Sequence, residues 1–265
     1  MNSLYRMFVL IGVGLVSSSA VAQQKSGTAI IFSVTPEKAI VSADSRELDS
    51  THKIATDQGC KIVAFDNRAI FTFSGTRVCQ VSQHNEWDAQ KTALSVYKRL
   101  RISNKVVRAK DFMLAWDEEL RLHTTDFVGC SGVHNPDGGM MTALYFNVGL
   151  FGSIEAIDDE LTVKQSPSNG PIFEHRIAEI ALNGLPMGSG HMDILDEFLA
   201  DRSDRAKSWH KQIDAYSPER RIQALGQLTR RFDDSGSVGG NIDMAVLTSN
   251  GVKWISTKQQ CQTQQ

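Results

Sequence analysis

Short β-branched and apolar runs recur near the start, the middle and the end of the chain, and apolar residues at helical spacing occupy the stretches between them. Thr28-Ala29-Ile30-Ile31-Phe32-Ser33-Val34 reads as a strand, Thr35-Pro36-Glu37-Lys38 as a turn, and 39–43 as the returning strand of a hairpin. Positions 61–65 and 69–73 form a second hairpin around Asp66-Asn67-Arg68, with a charged loop, 45–59, between the two. Over 78–100, Val81, Ala93, Leu94, Tyr97 and Leu100 fall near 3.6-residue spacing and predict a helix; Phe112, Met113, Trp116 and Leu120 predict another. Strands return at 127–133 and 141–148. The irregular stretch around Ser166-Pro167-Ser168-Asn169-Gly170-Pro171 comes next, then short helices over 177–182 and 192–199. Ser217-Pro218 supplies an N-cap and a first-turn proline for a helix through Ile222, Leu225 and Leu228 to about Phe232. A last hairpin, 241–248 with 252–255, turns at Ser249-Asn250-Gly251. Blocks of antiparallel strands alternating with blocks of helices predict an α+β layered fold, with two sheets face to face and helices outside, rather than a βαβ repeat.

The first residues do not belong to that fold. Arg6 precedes an apolar stretch, 7–16, and a small-residue region ending in Ala20-Val21-Ala22, the pattern of a secretion signal cut after Ala22. The apolar stretch is too short to span a bilayer comfortably. The expected parts are a signal peptide (1–22), a short propeptide (23–27), one domain (28–258) and a flexible tail (259–265). The mature protein is then periplasmic or secreted, with no membrane association after signal removal.

Composition narrows the function. Forty-one per cent hydrophobic and 22% charged residues among 265 are ordinary for a globular domain, and a net charge of −2 offers no basic field for nucleic acid. The seven histidines are scattered and no HExxH motif is present, so neither metal nor cofactor is expected. An exported chain with four cysteines (Cys60, Cys79, Cys130, Cys261) permits disulfides, and the three full connectivities stay open.

The candidate chemistry begins at Thr28. A hydroxyl is a weak nucleophile without a base beside it, and a threonine at a chain terminus carries its own base, an α-amine of pKa about 8. Gly27, just before it, permits the tight geometry that self-cleavage needs. A threonine that opens a strand is otherwise a structural residue. Asp44, at the end of the second strand, can hold Lys61 charged, and the lysine's field can lower the pKa of the Thr28 hydroxyl. The competing reading is a surface ion pair of little consequence. Cys60, beside Lys61, is either a disulfide partner or a buried thiol.

Taken in order, Gly27-Thr28, Ala43-Asp44-Ser45-Arg46, Lys61-Ile62 and Phe73-Ser74-Gly75 resemble the start of proteasome β subunits, from Gly27 to about Arg77. The separation of Thr28 from Asp44 has no gap relative to that family, and Lys61 follows one inserted residue. Further on, Met187-Gly188-Ser189-Gly190 resembles the family's Gly-Ser-Gly before its third helix, Tyr216-Ser217-Pro218-Glu219 the Ser-x-Glu start of its fourth helix, and Gly239-Gly240-Asn241-Ile242-Asp243 its Gly-Gly entry to a closing strand. The segment 150–185 is longer than the family has there. The resemblance implies a four-layer α-β-β-α sandwich of the N-terminal nucleophile hydrolases, freed at Thr28 by a cut after Gly27. Thr28 would then be the nucleophile, Ser189 a proton relay, Lys61 a charge stabiliser oriented by Asp44, and the Gly75 N–H an oxyanion donor. Arg77 would line a pocket for an acidic or polar side chain. Asp234, with Asp233 competing for the role, would stand for the acidic residue the family keeps before Gly-Gly. The resemblance also implies peptide or unfolded-protein substrates and a homo-oligomeric ring. Two other readings stay open: an inert scaffold or interaction subunit of the same fold, and an exported amidase acting on small molecules.

Overall fold

The computed structural model describes residues 28–48, 53–75, 78–82, 85–103, 106–123, 139–166, 170–190, 192–200 and 203–262. The leader and the cleavage residues Ala22 and Gly27 lie outside these, as do Arg77 and the predicted strand 127–133. In chain order the elements are β1 (Ala29–Val34), β2 (Lys38–Asp44), β3 (Glu47–Leu48), β4 (Ile54–Thr56), β5 (Ile62–Phe65), β6 (Ala69–Ser74), β7 (Val78–Ser82), β8 (Asn85–Asp88), α1 (Ala89–Ser103), α2 (Ala109–Leu122), β9 (Gly139–Val148), β10 (Ile154–Ser166), β11 (Gly170–Glu179), β12 (Met187–Gly190), α3 (Asp193–Ala200), α4 (Asp204–Ile213), α5 (Pro218–Phe232), β13 (Ile242–Thr248), β14 (Gly251–Ser256) and α6 (Gln259–Gln262).

The hairpins predicted from alternation are present. Two five-stranded sheets result, β12-β1-β2-β13-β14 and β11-β10-β9-β6-β5, with antiparallel neighbours throughout. The β5–β6 turn uses Asp66 and Asn67 at φ 48° and 55°, positive values that asparagine and aspartate tolerate better than most residues. Because side chains alternate along a strand, each sheet has two apolar faces. Ile30, Phe32 and Val34 of β1 meet Ile70, Leu144 and Phe146 of the other sheet in one cluster. The opposite face of the β5–β11 sheet carries Phe65, Phe71, Phe73 and Tyr145, which pack against Tyr97 of α1 and Phe112, Met113 and Trp116 of α2. The opposite face of the β1 sheet carries Ile31, Ile40 and Met244, covered by Phe198, Trp209, Ile222 and Leu225 of α3, α4 and α5. Ser217 caps α5 by accepting the Arg220 N–H, with Pro218 in the first turn, as the sequence predicts.

Several elements differ from expectation. The helix predicted from Val78 starts only at Ala89, after the β7–β8 hairpin. The irregular stretch after 148 is mostly the long β10–β11 hairpin, paired from Ile157↔Glu179 to Ser166↔Gly170, and the helix predicted at 177–182 is the end of β11. Helix α4 was not predicted; Ser203 caps it by accepting the Ala206 N–H. The expected flexible tail is partly structured: Gln259–Gln262 form a helical turn, and Cys261 is bonded to Cys60 across 201 residues of sequence. Among the described residues no helix is long and apolar enough to cross a membrane.

Candidate active site

Strand β1 sets the geometry. Thr28 shares the parity of Ile30, whose side chain lies between the sheets, so Thr28 opens at the end of that inter-sheet layer, nearly buried. On one side β2 returns Asp44 to the same end, and on the other β12 pairs Ala29↔Gly190 and Ile30↔Ser189. Gly190 has φ +89°, and a Cβ there would sit 1.8 Å from the Thr28 carbonyl oxygen and 2.7 Å from Ser74 Oγ. Only glycine lets β12 approach so closely, and the same contact brings the end of β6 beside Thr28. Gly75 follows at φ +125°, where a Cβ would meet the Met141 side chain at 2.4 Å.

Asp44 is the hub. Its Oδ1 accepts the Ala29 N–H at 2.9 Å and Lys61 Nζ at 2.8 Å; its Oδ2 accepts the N–H groups of Arg46 and Gly239, both at 3.1 Å. The Asp44 and Lys61 side chains are 0% and 4% exposed. The pair is therefore a buried, fully engaged ion pair and not the surface contact of the competing reading. Because Lys61 Nζ and the first amide after Thr28 share one carboxylate oxygen, the ammonium lies within two hydrogen-bond lengths of the residue that follows Thr28. Ser189 is also buried, and its Oγ has no hydrogen-bond partner among the described residues. An unmet buried hydroxyl is costly unless another group reaches it, and a hydroxyl opposite Ile30, two positions from Thr28, is a natural acceptor or donor for a group at Thr28.

The segment before Lys61 is clamped from several sides. The Cys60 carbonyl accepts Gln90 Nε2, and the Cys60–Cys261 bond ties it to α6. Lys258 Nζ reaches the Gly59 carbonyl at 3.1 Å and Asp243 Oδ2 at 2.7 Å. Burial pushes the Asp243 carboxyl above the usual carboxylate range, with Lys258 opposing that shift.

No protein-family model matches the chain, and no curated protein matches it in sequence. Its structure is similar to Anbu (ancestral beta-subunit) from Yersinia bercovieri, at a TM-score of 0.51 and 10% identity, covering 86% of this chain and 87% of that one. The chain has a proteasome-like fold. Identity this low speaks for the fold alone.

Within the proteasome-like fold, the Ala43-Asp44-Ser45-Arg46 run acts first as a staple. The Ser45 and Arg46 amides both donate to the Gly239 carbonyl. Ser45 Oγ donates to the Asp57 carbonyl and accepts the Asn241 N–H. The Arg46 guanidinium grips the Asp57 carboxylate through Nε and a terminal nitrogen and donates to the Gly236 carbonyl, which holds the Asp57 carboxyl below its ordinary value. Sequence reasoning read Asp44 as an orienter of Lys61 and missed its three backbone donors. It also missed the close approach of Gly190, which belongs to β12.

The fold thus gathers Thr28, Asp44, Lys61 and Ser189, with Ser74 and Gly75 alongside. Asp234 is not gathered. It is exposed past the end of α5, and its charge acts on Arg205 of α4. Its neighbour Asp233 accepts the N–H groups of Ser235 and Val238 and shapes the loop that delivers Gly239 to Asp44. Of the two competing residues, Asp233 has the ordering role.

Proposed function

We propose that the protein is a self-processing threonine hydrolase that cleaves peptide or amide bonds through an acyl-enzyme on Thr28. The observation that carries this reading is the shared carboxylate: Asp44 holds both the amide next to Thr28 and the ammonium of Lys61, in a buried site. A merely structural strand end does not need a buried lysine there. In the proposed reaction, a cut between Gly27 and Thr28 frees the α-amine. Thr28 Oγ attacks the scissile carbonyl while the amine takes its proton, with the unmet Ser189 hydroxyl relaying it. Lys61 stabilises the charge developing on the threonine oxygen, and the Gly75 N–H receives the oxyanion, a donor of a kind worth about 10²–10³ in rate. The tetrahedral adduct collapses as its C–N bond breaks, the leaving amine takes the proton held by the Thr28 amine, and water then hydrolyses the ester and restores the Thr28 hydroxyl. Arg77 would border the pocket for the residue before the cut.

The proposal extends to a four-layer sandwich, to export and to a homo-oligomeric ring that takes short peptides or unfolded chains. The Cys60–Cys261 bond supports an oxidising compartment, and the three apolar clusters support the layered arrangement. The test is the intact mass and N-terminal sequence of exported wild type beside Thr28→Ala. Self-processing predicts a wild type that starts at Thr28 and a variant that retains Gln23. Both starting at Gln23 would mean that the amine is never freed, which leaves the inert scaffold. Peptide amides assayed against acylated small amines separate a peptidase from a small-molecule amidase. A clean monomer by light scattering would remove the ring.

A further inference from the structure

We propose that Asp117, Asp159 and His175 form a binding site for one first-row divalent cation, zinc or manganese in class, that fastens α2 to the β10–β11 hairpin. Their positions, 42 and 16 residues apart, give no sequence motif; the fold assembles them on the α1–α2 face of the β5–β11 sheet, opposite the face that meets β1. Asp159 shares the parity of Ile157 and Leu161 of β10, which point toward α1 and α2, and His175 of β11 stands opposite Leu161. Asp117 comes down from α2, one residue after the buried Trp116. The ligand atoms of all three lie within 4.8 Å of one another.

The hydrogen-bond account of this cluster does not close. His175 Nδ1 is 2.7 Å from Asp117 Oδ1 and 3.3 and 3.2 Å from the two oxygens of Asp159. One ring nitrogen carries at most one hydrogen, so it cannot serve three carboxylate oxygens. Arg121 Nε also donates to Asp117, but that residue is on the exposed side of α2. Asp159 is 1% exposed and, among the described residues, accepts neither a backbone N–H nor a lysine. Asp44, equally buried, takes four donors. Two carboxylates facing a single imidazole nitrogen in a half-closed site favour positive charge there, which a bound metal ion would supply.

A metal ion fits the spacing. Ligands about 2.1 Å from the ion stand about 3.0 Å apart in the octahedral geometry of manganese and about 3.4 Å apart in the tetrahedral geometry of zinc, close to the N···O separations of 2.7 to 3.3 Å seen here. Two carboxylates and an imidazole suit zinc or manganese, with water completing the shell, and Arg121 on Asp117 supplies the outer contact that orients a ligating carboxylate.

The proposal is tested on untagged full-length protein stripped with EDTA, then titrated with ZnCl₂ and MnCl₂ by calorimetry and by thermal unfolding. MgCl₂ is the control. The expected result is one ion per chain and a higher unfolding temperature for wild type, with both effects lost in His175→Ala. Should that variant fail to fold, Asp117→Asn at the more exposed end gives the same reading. Wild type binding neither ion at concentrations on the order of 100 µM overturns the proposal, and so does a folded variant that keeps the wild-type stoichiometry. None of these readings depends on Thr28 activity.

Discussion

Asp44 and Lys61 are a buried pair whose two halves are unequal, and stability measurements can separate them. Asp44→Ala removes the acceptor of four donors: Lys61 Nζ and the N–H groups of Ala29, Arg46 and Gly239. A buried amide left unmet costs about 1–3 kcal/mol, and breaking a buried ion pair by removing one partner costs about 3–5 kcal/mol. The losses overlap because water can enter the space, so the expected total is about 4–6 kcal/mol, a large part of a typical domain's 5–15 kcal/mol. Lys61→Met removes only the ammonium. Asp44 keeps its three amide donors, and the new side chain fills similar volume, so the expected cost is about 1–3 kcal/mol. Urea unfolding of both variants, with the disulfide intact, reads the difference. At equal slopes, Asp44→Ala should unfold at a midpoint lower than Lys61→Met by on the order of 1 M. Lys61→Met costing as much as Asp44→Ala would refute the reasoning, since the charge pair and not the amide staple would then dominate. Under the proposed function, folded Lys61→Met must also lose hydrolysis while remaining nearly as stable as wild type.

Reduction of Cys60–Cys261 tests the tether at the other end of that segment. Opening a loop of 201 residues removes a chain-entropy term of about 5 kcal/mol, which lowers the unfolding temperature by roughly 10–20 °C in a domain of this size. Dithiothreitol should reproduce the effect in wild type and do nothing to Cys60→Ser/Cys261→Ser; an equal reductant effect on that variant would argue against this bond as its source. Gly190→Ala should cost several kcal/mol, because its Cβ would overlap the Thr28 carbonyl. Gly236→Ala, at φ +68° with nothing within 4 Å, should cost only about 1–2 kcal/mol of backbone strain; equal melting temperatures for the two would sink the close-approach argument. The raised Asp243 carboxyl predicts a pH signature: the folded state holds this proton more tightly than the unfolded chain. Its contribution to stability is therefore complete below the ordinary carboxylate pKa and is lost as pH rises through the raised folded value. The stability of wild type relative to Asp243→Asn should fall with rising pH across the acidic range, and a gap that widens with pH would contradict the burial account.

What the sequence disclosed and what it hid divide along chain distance. The β1–β2, β5–β6 and β13–β14 hairpins were legible because each is set by neighbouring residues, with alternation on both arms and Asp66-Asn67 or Asn250-Gly251 at the turn. Thr28, Asp44 and Lys61 were legible for the same reason: two successive hairpins return their ends to one place. β10 was not, since Asp158, Asp159, Glu160 and Lys164 break the apolar alternation of a strand that pairs with β9 and β11. The apolar spacing of Ile177, Ile180 and Ala181 fits one helix face as well as the end of a strand, and only pairing with β10 decides between them. The disulfide closes 201 residues, and the Asp117, Asp159 and His175 cluster draws on a helix and two strands. No local pattern encodes either of them. Both lie where the fold needs fastening, the first at the segment that carries Lys61 and the second at the hairpin whose polar run hid it. An acidic position such as Asp159 breaks the strand pattern because it is buried against a helix for a reason other than apolar packing. A broken alternation inside an otherwise buried sheet is thus itself a sequence signal of such a cluster, to be read together with a histidine on the paired strand.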